Sequence, residues 1–176
     1  MIKMFVAFGD KTVENEMGSR SLNKPLWMIV GLAVFLFLRN GEVGRKAPDF
    51  SLQGVYGGSD YHLNSFQGKS VLLVFWTTGC GVCRRELPIL NGLRSDAARS
   101  NAEIACVNIG DMDGAREVMR PLRLRLNLVD LDGSAARSYG VSGVPKLLLI
   151  GPDGKIKWTA SGLQSEQVLR QHLTGD

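Results

Sequence analysis

Two cysteines three residues apart, Cys80 and Cys83, are the residues of this chain whose type and spacing most directly suggest chemistry. An apolar run at 71–75 precedes them and a helix-like stretch at 84–93 follows, so the pair falls where a strand passes into a helix. A cysteine at a helix N-terminus faces free backbone N–H groups and the positive end of the helix dipole, which favour thiolate over thiol. Its partner lies one helical turn further on, so the two sulfurs can close a disulfide and the outer one, Cys80, can attack another disulfide. The pair predicts a site of thiol–disulfide exchange.

Other uses of two cysteines at this spacing find less support in the rest of the chain. Zinc normally takes four Cys or His ligands, and the chain offers besides the pair only Cys106 and two separated histidines. A purely structural disulfide across so short a loop would restrict the unfolded chain very little. Cu(I) suits two thiolates, although no histidine or methionine ligand is evident beside them. Redox exchange is therefore the preferred interpretation, and a Cu(I)-delivery module stays open as an alternative.

The elements that must hold the cysteines follow from the spacing of apolar residues and from turn signals. Strands are expected at 49–52, 61–63, 70–76, 103–109, 127–131, 146–150 and 155–160. Helices are expected at 80–98, 114–119, 134–139 and 165–173. Pro88 predicts a kink in the first helix, and Asp111 or Asp113 is the expected cap of the second. This order predicts an α/β fold in which a mixed central sheet carries helices on both faces.

An uncharged segment near the start of the chain predicts a membrane anchor. Residues 25–38 read PLWMIVGLAVFLFL, with Arg20 and Lys24 before the run and Arg39 after it. The run is shorter than the about 20 residues that comfortably span a bilayer, so a cleaved signal peptide is the alternative. No small-x-small cleavage site follows it, which favours an uncleaved anchor. We expect a cytoplasmic lead at 1–24, a transmembrane anchor at 25–39, a linker at 40–46 and a globular domain at 47–176.

Composition limits the other functions that the chain could have. With 176 residues, of which 44% are hydrophobic, the chain is long enough for one domain besides the anchor. The net charge of +4 is modest and does not suggest binding to nucleic acid. We expect the protein to be a monomer.

Arginines recur along the first predicted helix and the next element, and we expect them to form solvated faces. They are Arg84, Arg85, Arg94, Arg99, Arg116, Arg120, Arg123 and Arg125.

The chain resembles the thioredoxin superfamily, and specifically the membrane-anchored extracytoplasmic branch typified by TlpA, ResA and the DsbE reductases of cytochrome c maturation. The resemblance runs from about 47 to 173. It rests on Ala47-Pro48-Asp49-Phe50-Ser51-Leu52, the motif from Trp76 to Cys83, Pro88, and Gly143-Val144-Pro145 before a strand.

The resemblance implies a thioredoxin-like three-layer fold and a protein-disulfide oxidoreductase that reduces disulfides in partner proteins. It further implies a single-pass protein of the inner membrane whose catalytic domain faces the periplasm or another extracytoplasmic space. A membrane thiol donor would supply the electrons, as in cytochrome c maturation. The redox-active disulfide would serve without a cofactor or metal. A paired thiol site also suits a compartment in which disulfides persist. The charges on the two sides of the anchor do not decide its orientation in the membrane.

Site roles follow from the same resemblance. Cys80 is implied as the attacking thiol and Cys83 as the resolving thiol that releases the mixed disulfide. Pro145 matches the family's cis-proline, which lies against the disulfide and leaves the Val144 backbone free to pair with an extended substrate segment. Trp76 is expected to flank the site as a substrate contact, with simple core packing as the other interpretation.

Glu86 matches the acid that follows the cysteine pair in this branch. It lies three residues after Cys83, on the same side of the predicted helix, where an acid can raise thiol pKa values or pass a proton. The alternative is a surface glutamate that stabilises the front of a helix. We favour the functional role, as a third catalytic residue beside the two cysteines.

Some residues depart from the family pattern. Gly81 and Val82 separate the cysteines, and neither is a histidine of the kind found in strong oxidants. Val74 occupies the position of the buried aspartate of thioredoxins. Lys146 follows the proline where threonine is usual, and it either places a positive charge near the substrate groove or points away from it. Cys106 falls in a predicted buried strand, where a free cysteine behaves as a small apolar residue.

A peroxiredoxin-like peroxidase is the second alternative. Such a protein would share the Ala-Pro-Asp-Phe segment and a cysteine between a strand and a helix. With Cys83 as the peroxidatic thiol, however, Cys80 stands at the expected threonine position and Trp76 at the expected proline position. These mismatches favour thiol–disulfide exchange.

Overall fold

The computed structural model describes residues 41–175. The predicted lead at 1–24 and the predicted anchor at 25–39 lie outside the described residues. Between residues 41 and 175, no helix has the length and apolar character needed to cross a membrane.

Seven strands form one mixed sheet. The strands are β1 (Ser51–Gly54), β2 (Tyr61–His62), β3 (Ser70–Trp76), β4 (Ala102–Ile109), β5 (Leu126–Asp130), β6 (Lys146–Ile150) and β7 (Ile156–Ser161). Their order across the sheet is β2-β1-β5-β4-β3-β6-β7. The three central strands β3, β4 and β5 run parallel, whereas β1 and β6 join them antiparallel. The pairs β1–β2 and β6–β7 are the two predicted hairpins.

Helices cover both faces of the sheet, which confirms the predicted layers. They are α1 (Gly81–Arg99), α2 (Met112–Met119), α3 (Ser134–Ser138) and α4 (Glu166–Thr174). Apolar side chains of α1, α2 and α4 share one core cluster with Val74, Trp76 and Cys83. Those of α3 and of the N-terminal segment share the other with Leu73 and Phe75. Alternate residues of β3 thus face opposite cores, as expected for a central strand buried on both sides.

A short 3₁₀ helix, Leu63–Phe66, follows β2 where the hydrophobic pattern predicts only the end of a strand. The Asp49 side chain holds this turn, because its carboxylate accepts hydrogen bonds from the Asn64 backbone and from Asn64 Nδ2 at 3.4 and 2.6 Å. Pro48 is also held in place, because the Tyr139 hydroxyl donates a hydrogen bond to the Pro48 carbonyl at 2.6 Å. The Pro48-Asp49 segment therefore connects the 3₁₀ helix and the end of α3 to the start of the domain.

Within the segment predicted as a linker at 40–46, Gly44, Arg45 and Lys46 make backbone contacts with the domain. Gly44 N–H donates to the Ile156 carbonyl at 2.8 Å, and Ile156 N–H donates to the Arg45 carbonyl at 2.9 Å. Lys46 forms an antiparallel bridge with Lys155. The composition of this segment is polar and glycine-bearing, but its backbone groups pair with the strand edge at β7, so it extends the sheet rather than hanging free.

Candidate active site

Cys80 is the N-cap residue of α1, with an extended backbone (φ −82°, ψ 101°). Its sulfur accepts a hydrogen bond from the Cys83 backbone N–H at 3.1 Å, which uses one of the N–H groups that a helix start leaves free. No acidic residue occupies the first turn of this 19-residue helix. The helix dipole and the N–H donor both stabilise negative charge on Cys80, so its thiolate is favoured once the disulfide is reduced.

Cys83 differs from Cys80 in exposure. The two sulfurs form a disulfide with a Cα–Cα distance of 5.3 Å. Cys80 is half-buried, whereas Cys83 is 1% exposed and belongs to the core cluster beneath α1. Only Cys80 therefore presents a sulfur that another protein can approach, as the sequence predicts.

The Val144–Pro145 peptide bond is cis, as the family resemblance implies for Pro145. This turn lies directly against the disulfide, because Cys80 Sγ is 3.8 Å from the Val144 carbonyl oxygen. The Pro145 carbonyl accepts from Gly162 N–H at 2.9 Å, which fixes the turn to the end of β7. Among the backbone hydrogen bonds of residues 41–175, none uses the Val144 N–H as donor. The Val144 backbone is thus placed where an extended substrate could pair with it.

Glu86 lies on the buried side of α1 together with Cys83 and is 1% exposed. One carboxylate oxygen accepts a hydrogen bond from Gln164 N–H at 3.0 Å, while Oε2 has no partner among the described residues. Burial raises the pKa of the Glu86 carboxyl above its usual range, and the Gln164 hydrogen bond offsets part of that rise. Glu86 is therefore not the surface glutamate of the alternative interpretation.

The sequence does not identify Gln164 as a residue of the site. It contributes through its backbone N–H and lies 78 positions after Glu86, so neither residue type nor spacing identifies it. Only the packing of α4 against α1 brings the segment before α4 onto this carboxylate.

Trp76 lies beneath the site and does not form part of its surface. Its side chain is 1% exposed, and it packs in the same core cluster as Cys83. This burial supports the interpretation of Trp76 as core packing over that of a substrate contact. The reason is register: Trp76 ends β3 on the face that α1 covers, opposite Asn108 of β4.

Cys106 is buried in the same core, as predicted for an apolar cysteine. It pairs in register with Val74 of β3. Burial raises the pKa of the Cys106 thiol far above its ordinary value, and the nearby Glu86 charge raises it further. The Cys106 thiol thus stays protonated.

Lys146 points away from the cysteines. It pairs in register with Phe75, whose side chain faces the core on the side opposite α1. Its ammonium group forms an ion pair with Glu42 at 2.7 Å, and its side chain is 12% exposed. Lys146 therefore helps to fasten the start of the domain, and its charge is matched by Glu42.

The sequence also does not predict the contact between the active-site loop and α2. Asp111 is the N-cap of α2, where it accepts from Gly114 N–H at 2.9 Å, and its other oxygen accepts from the Thr78 hydroxyl at 2.8 Å. These hydrogen bonds lower the pKa of the Asp111 carboxyl. The capping role of Asp111 is readable from sequence, but its contact with Thr78 depends on β3 and β4 ending at the same edge of the sheet.

Within the part of the chain that the structure describes, no group of three or more His, Cys, Asp or Glu side chains could hold a metal ion. A half-buried N-cap sulfur and a fully buried partner sulfur form one disulfide instead, with a cis-proline turn and a buried carboxyl beside it. On this sheet and helix arrangement, they define a thioredoxin-like thiol–disulfide oxidoreductase.

Comparison with known proteins agrees with that class. The model of the AhpC/TSA family matches residues 43–159, and the chain belongs to this family. It is similar to the thiol-disulfide oxidoreductase ResA of Geobacillus thermodenitrificans, with 33% identity over 133 residues, which cover 74% of this chain and 76% of the relative. ResA of Bacillus subtilis is 29% identical over 143 residues, which cover 80% of this chain and 79% of the relative.

Solved structures show the same likeness. A putative thiol:disulfide interchange protein DsbE from Chlorobium tepidum superimposes with a TM-score of 0.68 at 29% identity, covering 76% of this chain and 96% of its own. The exposed lipoprotein thioredoxin Etrx1 of Streptococcus pneumoniae superimposes with a TM-score of 0.62 at 27% identity, covering 73% of this chain and all of its own.

Proposed function

We propose that this oxidoreductase reduces disulfides in partner proteins outside the cytoplasm, and that residues 25–39 anchor it in the inner membrane. The observation that carries the proposal is the asymmetry of the disulfide: Cys80 is accessible at a helix N-terminus, and Cys83 is shielded in the core. The absence of a histidine between the cysteines supports the reducing direction. The names of the ResA and DsbE relatives support thiol–disulfide exchange with other proteins.

The reaction proceeds in two exchanges. The Cys80 thiolate attacks one sulfur of the partner disulfide, whose S–S bond breaks as a mixed disulfide with Cys80 forms and the other partner sulfur leaves as a thiolate. Cys83 then gives up its proton and attacks the Cys80 sulfur, which releases the second partner thiolate. The partner gains two electrons and takes up two protons, and Cys80 and Cys83 end as a disulfide. A membrane thiol donor returns two electrons for the next cycle.

Glu86 and the cis-proline turn have separate roles in this scheme. When ionised, the Glu86 carboxylate, with one oxygen free of hydrogen bonds, accepts the proton that Cys83 loses. The Val144 backbone pairs with an extended segment of the partner and places its disulfide beside Cys80. The domain acts as a monomer and needs no metal or cofactor besides the disulfide.

Location and substrate rest on the N-terminal sequence and on the kinship. The uncharged run at 25–38 supports a tether, and a dithiol site has most use where disulfides persist. Cytochrome c maturation, with apocytochrome c cysteines as substrate, is the pathway that we propose on the likeness to a DsbE protein.

Trapping of the partner tests this function. A Cys83→Ser chain retains the attacking thiol but cannot resolve the mixed disulfide, so we expect it to accumulate covalent complexes on Cys80. These are read by non-reducing electrophoresis and identified by mass spectrometry. Recovery of a haem-free cytochrome c would support the proposed pathway, and recovery of other periplasmic proteins would contradict it.

Cys80→Ser is the matched control, because it removes the exposed sulfur and leaves the buried one. It should trap essentially nothing. Equal capture by both variants would show that the assignment of attacker and resolver is wrong.

The purified chain also allows tests of the two alternatives, a peroxidase and a Cu(I)-delivery module. Rapid consumption of hydrogen peroxide by the reduced chain would favour the peroxidase, which the AhpC/TSA family match brings into consideration. The buried position of Cys83 argues against it, because a peroxidatic thiol must meet its substrate. Stoichiometric retention of copper after anaerobic gel filtration would favour the Cu(I) module.

A further inference from the structure

The outer side of α1 and the segment after α2 carry several arginines without a salt bridge. Five arginines there are exposed, and none makes a salt bridge with a carboxylate of residues 41–175. They are Arg84, Arg85, Arg94, Arg120 and Arg123. We call them the arginine surface.

Acidic side chains on the same helices do not neutralise the arginine surface. Glu86 and Asp96 are buried, and Asp96 is engaged by Arg99 and Arg170. Asp113 pairs with Arg116 at 2.9 Å. Glu117 is left as the exposed acid of α1 and α2 without a salt bridge in the described structure. Five positive charges against one negative charge give this surface a strongly positive potential.

An apolar groove lies within the arginine surface. It has a volume of about 340 Å³ and lies between α1 and α2, lined by Leu87, Pro88, Val118, Pro121 and Leu122. Arg84 and Glu117 also line it. Arg84, Leu87 and Pro88 lie in the first half of α1, so the groove lies beside the part of this helix that begins at the disulfide. Positive charge beside an apolar groove favours, as the partner, a polypeptide that carries both acidic and apolar side chains.

We propose that the arginine surface docks an acidic polypeptide segment of the disulfide partner, and that an apolar side chain of that segment fills the groove beside α1. This proposal rests on the proposed function, because it assigns a binding surface to the protein that exchanges disulfides at Cys80. The charges steer the partner to the site, and the groove holds it in register with the exposed sulfur.

The test compares two synthetic peptides that contain the same disulfide, one flanked by Asp, Glu and Leu, the other by Lys and Leu. The full reduced chain and its R84E/R120E/R123E variant react with each peptide and with the small neutral hydroxyethyl disulfide. The ratio of the acidic-peptide rate constant to the hydroxyethyl disulfide rate constant should fall roughly tenfold in the variant at low salt. The matched control is R45E/R137E/K155E, three exposed residues on other surfaces, and it should keep the ratio of the unmodified chain.

Binding without chemistry separates this proposal from the proposed function. Fluorescence anisotropy measures the affinity of the acidic peptide with serines in place of its cysteines. Weaker binding to R84E/R120E/R123E than to the control variant supports docking, even if the chain reduced no disulfide. Equal affinities, or equal losses with the acidic and the basic peptide, would overturn it.

Lipid binding is the competing outcome. The full chain is placed in vesicles of phosphatidylcholine alone or mixed equally with phosphatidylglycerol, and phenylglyoxal modification of Arg120 and Arg123 is mapped by mass spectrometry. Unchanged modification is expected. Protection by the anionic vesicles alone would show that the arginine surface lies on lipid and would overturn the proposal.

Discussion

At the scale of single residues, the fold favours the charged form of one acidic group in the site and the neutral form of the other. The Cys80 sulfur lies at a helix N-terminus, where backbone N–H groups stabilise its charge. The Glu86 carboxyl is enclosed by α1, the core and Gln164, where burial works against its charge. The outer sulfur is thus ready to act as an anion, and the inner acid is ready to hold a proton.

Glu86 gives the first prediction, which concerns pH and stability. Because its folded pKa is raised above the ordinary value of 4.5, the native state keeps a proton that the unfolded state loses. Ionisation therefore lowers the free energy of unfolding as the pH rises from about 4.5 through the folded pKa. Glu86→Gln removes this titration, so its stability should rise relative to the unmodified chain over that window. Urea unfolding of the oxidised chains at a series of pH values measures it.

Exposed Glu117 provides the control for the pH experiment. Glu117→Gln should follow the pH profile of the unmodified chain. A constant difference between Glu86→Gln and the unmodified chain at all pH values would show that Glu86 ionises in the fold as freely as in the unfolded state. In disulfide exchange, Glu86→Gln should lower the rate about 10²-fold, because it cannot accept a proton.

At the scale of elements, the start of α2 and the active-site loop share one carboxylate. Asp111 caps α2 and also receives the Thr78 hydroxyl, so the loop that carries the cysteines is braced against a second helix. Gly114 permits this contact. A Cβ at Gly114 would overlap Asp111 Oδ2 and come within 2.7 Å of Thr78 Cγ2.

Gly114→Ala is accordingly expected to destabilise the protein by about 1–3 kcal/mol, since the new methyl group forces Thr78 or Asp111 to move. Gly92→Ala is the matched change in α1. Gly92 is exposed, and its Cβ would meet no atom within 4 Å. Alanine there should stabilise the helix by up to about 1 kcal/mol. Urea unfolding compares both variants, and a shift of both in the same direction would contradict the close packing at Gly114.

At the scale of the whole molecule, the N-terminal segment and the active site lie on opposite faces of one sheet, and β6 connects them. Val144, two residues before Lys146, contacts Cys80, while Lys146 starts β6 and pairs with Glu42 on the other face. The segment that contains Glu42 is therefore bonded to the residue that directly follows the cis-proline turn.

Glu42→Gln tests this fastening. Lys146 is 12% exposed, so loss of the Glu42 carboxylate leaves a largely buried ammonium group without its counter-charge. We expect a loss of about 1–2 kcal/mol in the free energy of unfolding. The matched carboxylate-to-amide change, Asp153→Asn, breaks the half-exposed Lys157–Asp153 pair and should cost less. Equal effects in urea unfolding would mean that the Glu42–Lys146 pair is no more than a surface contact.

The sequence by itself determined the chemistry and the layers. Short-range rules suffice for these: Cys80 and Cys83 are placed by the change from a strand pattern to a helix pattern, and apolar periodicity identifies the buried strands. The chemistry of Glu86 and the cis form of Pro145 came from the family resemblance, not from such rules.

Tertiary structure alone decided which side chains meet. Trp76 looks equally suited to a surface and to a core until β3 is covered by α1, and Lys146 looks equally suited to both faces until its register with Phe75 is known. The Gln164 hydrogen bond to Glu86 and the Thr78 contact with Asp111 join residues 78 and 33 positions apart. Such contacts depend on how distant elements pack, and local propensities along the chain carry no information about that distance.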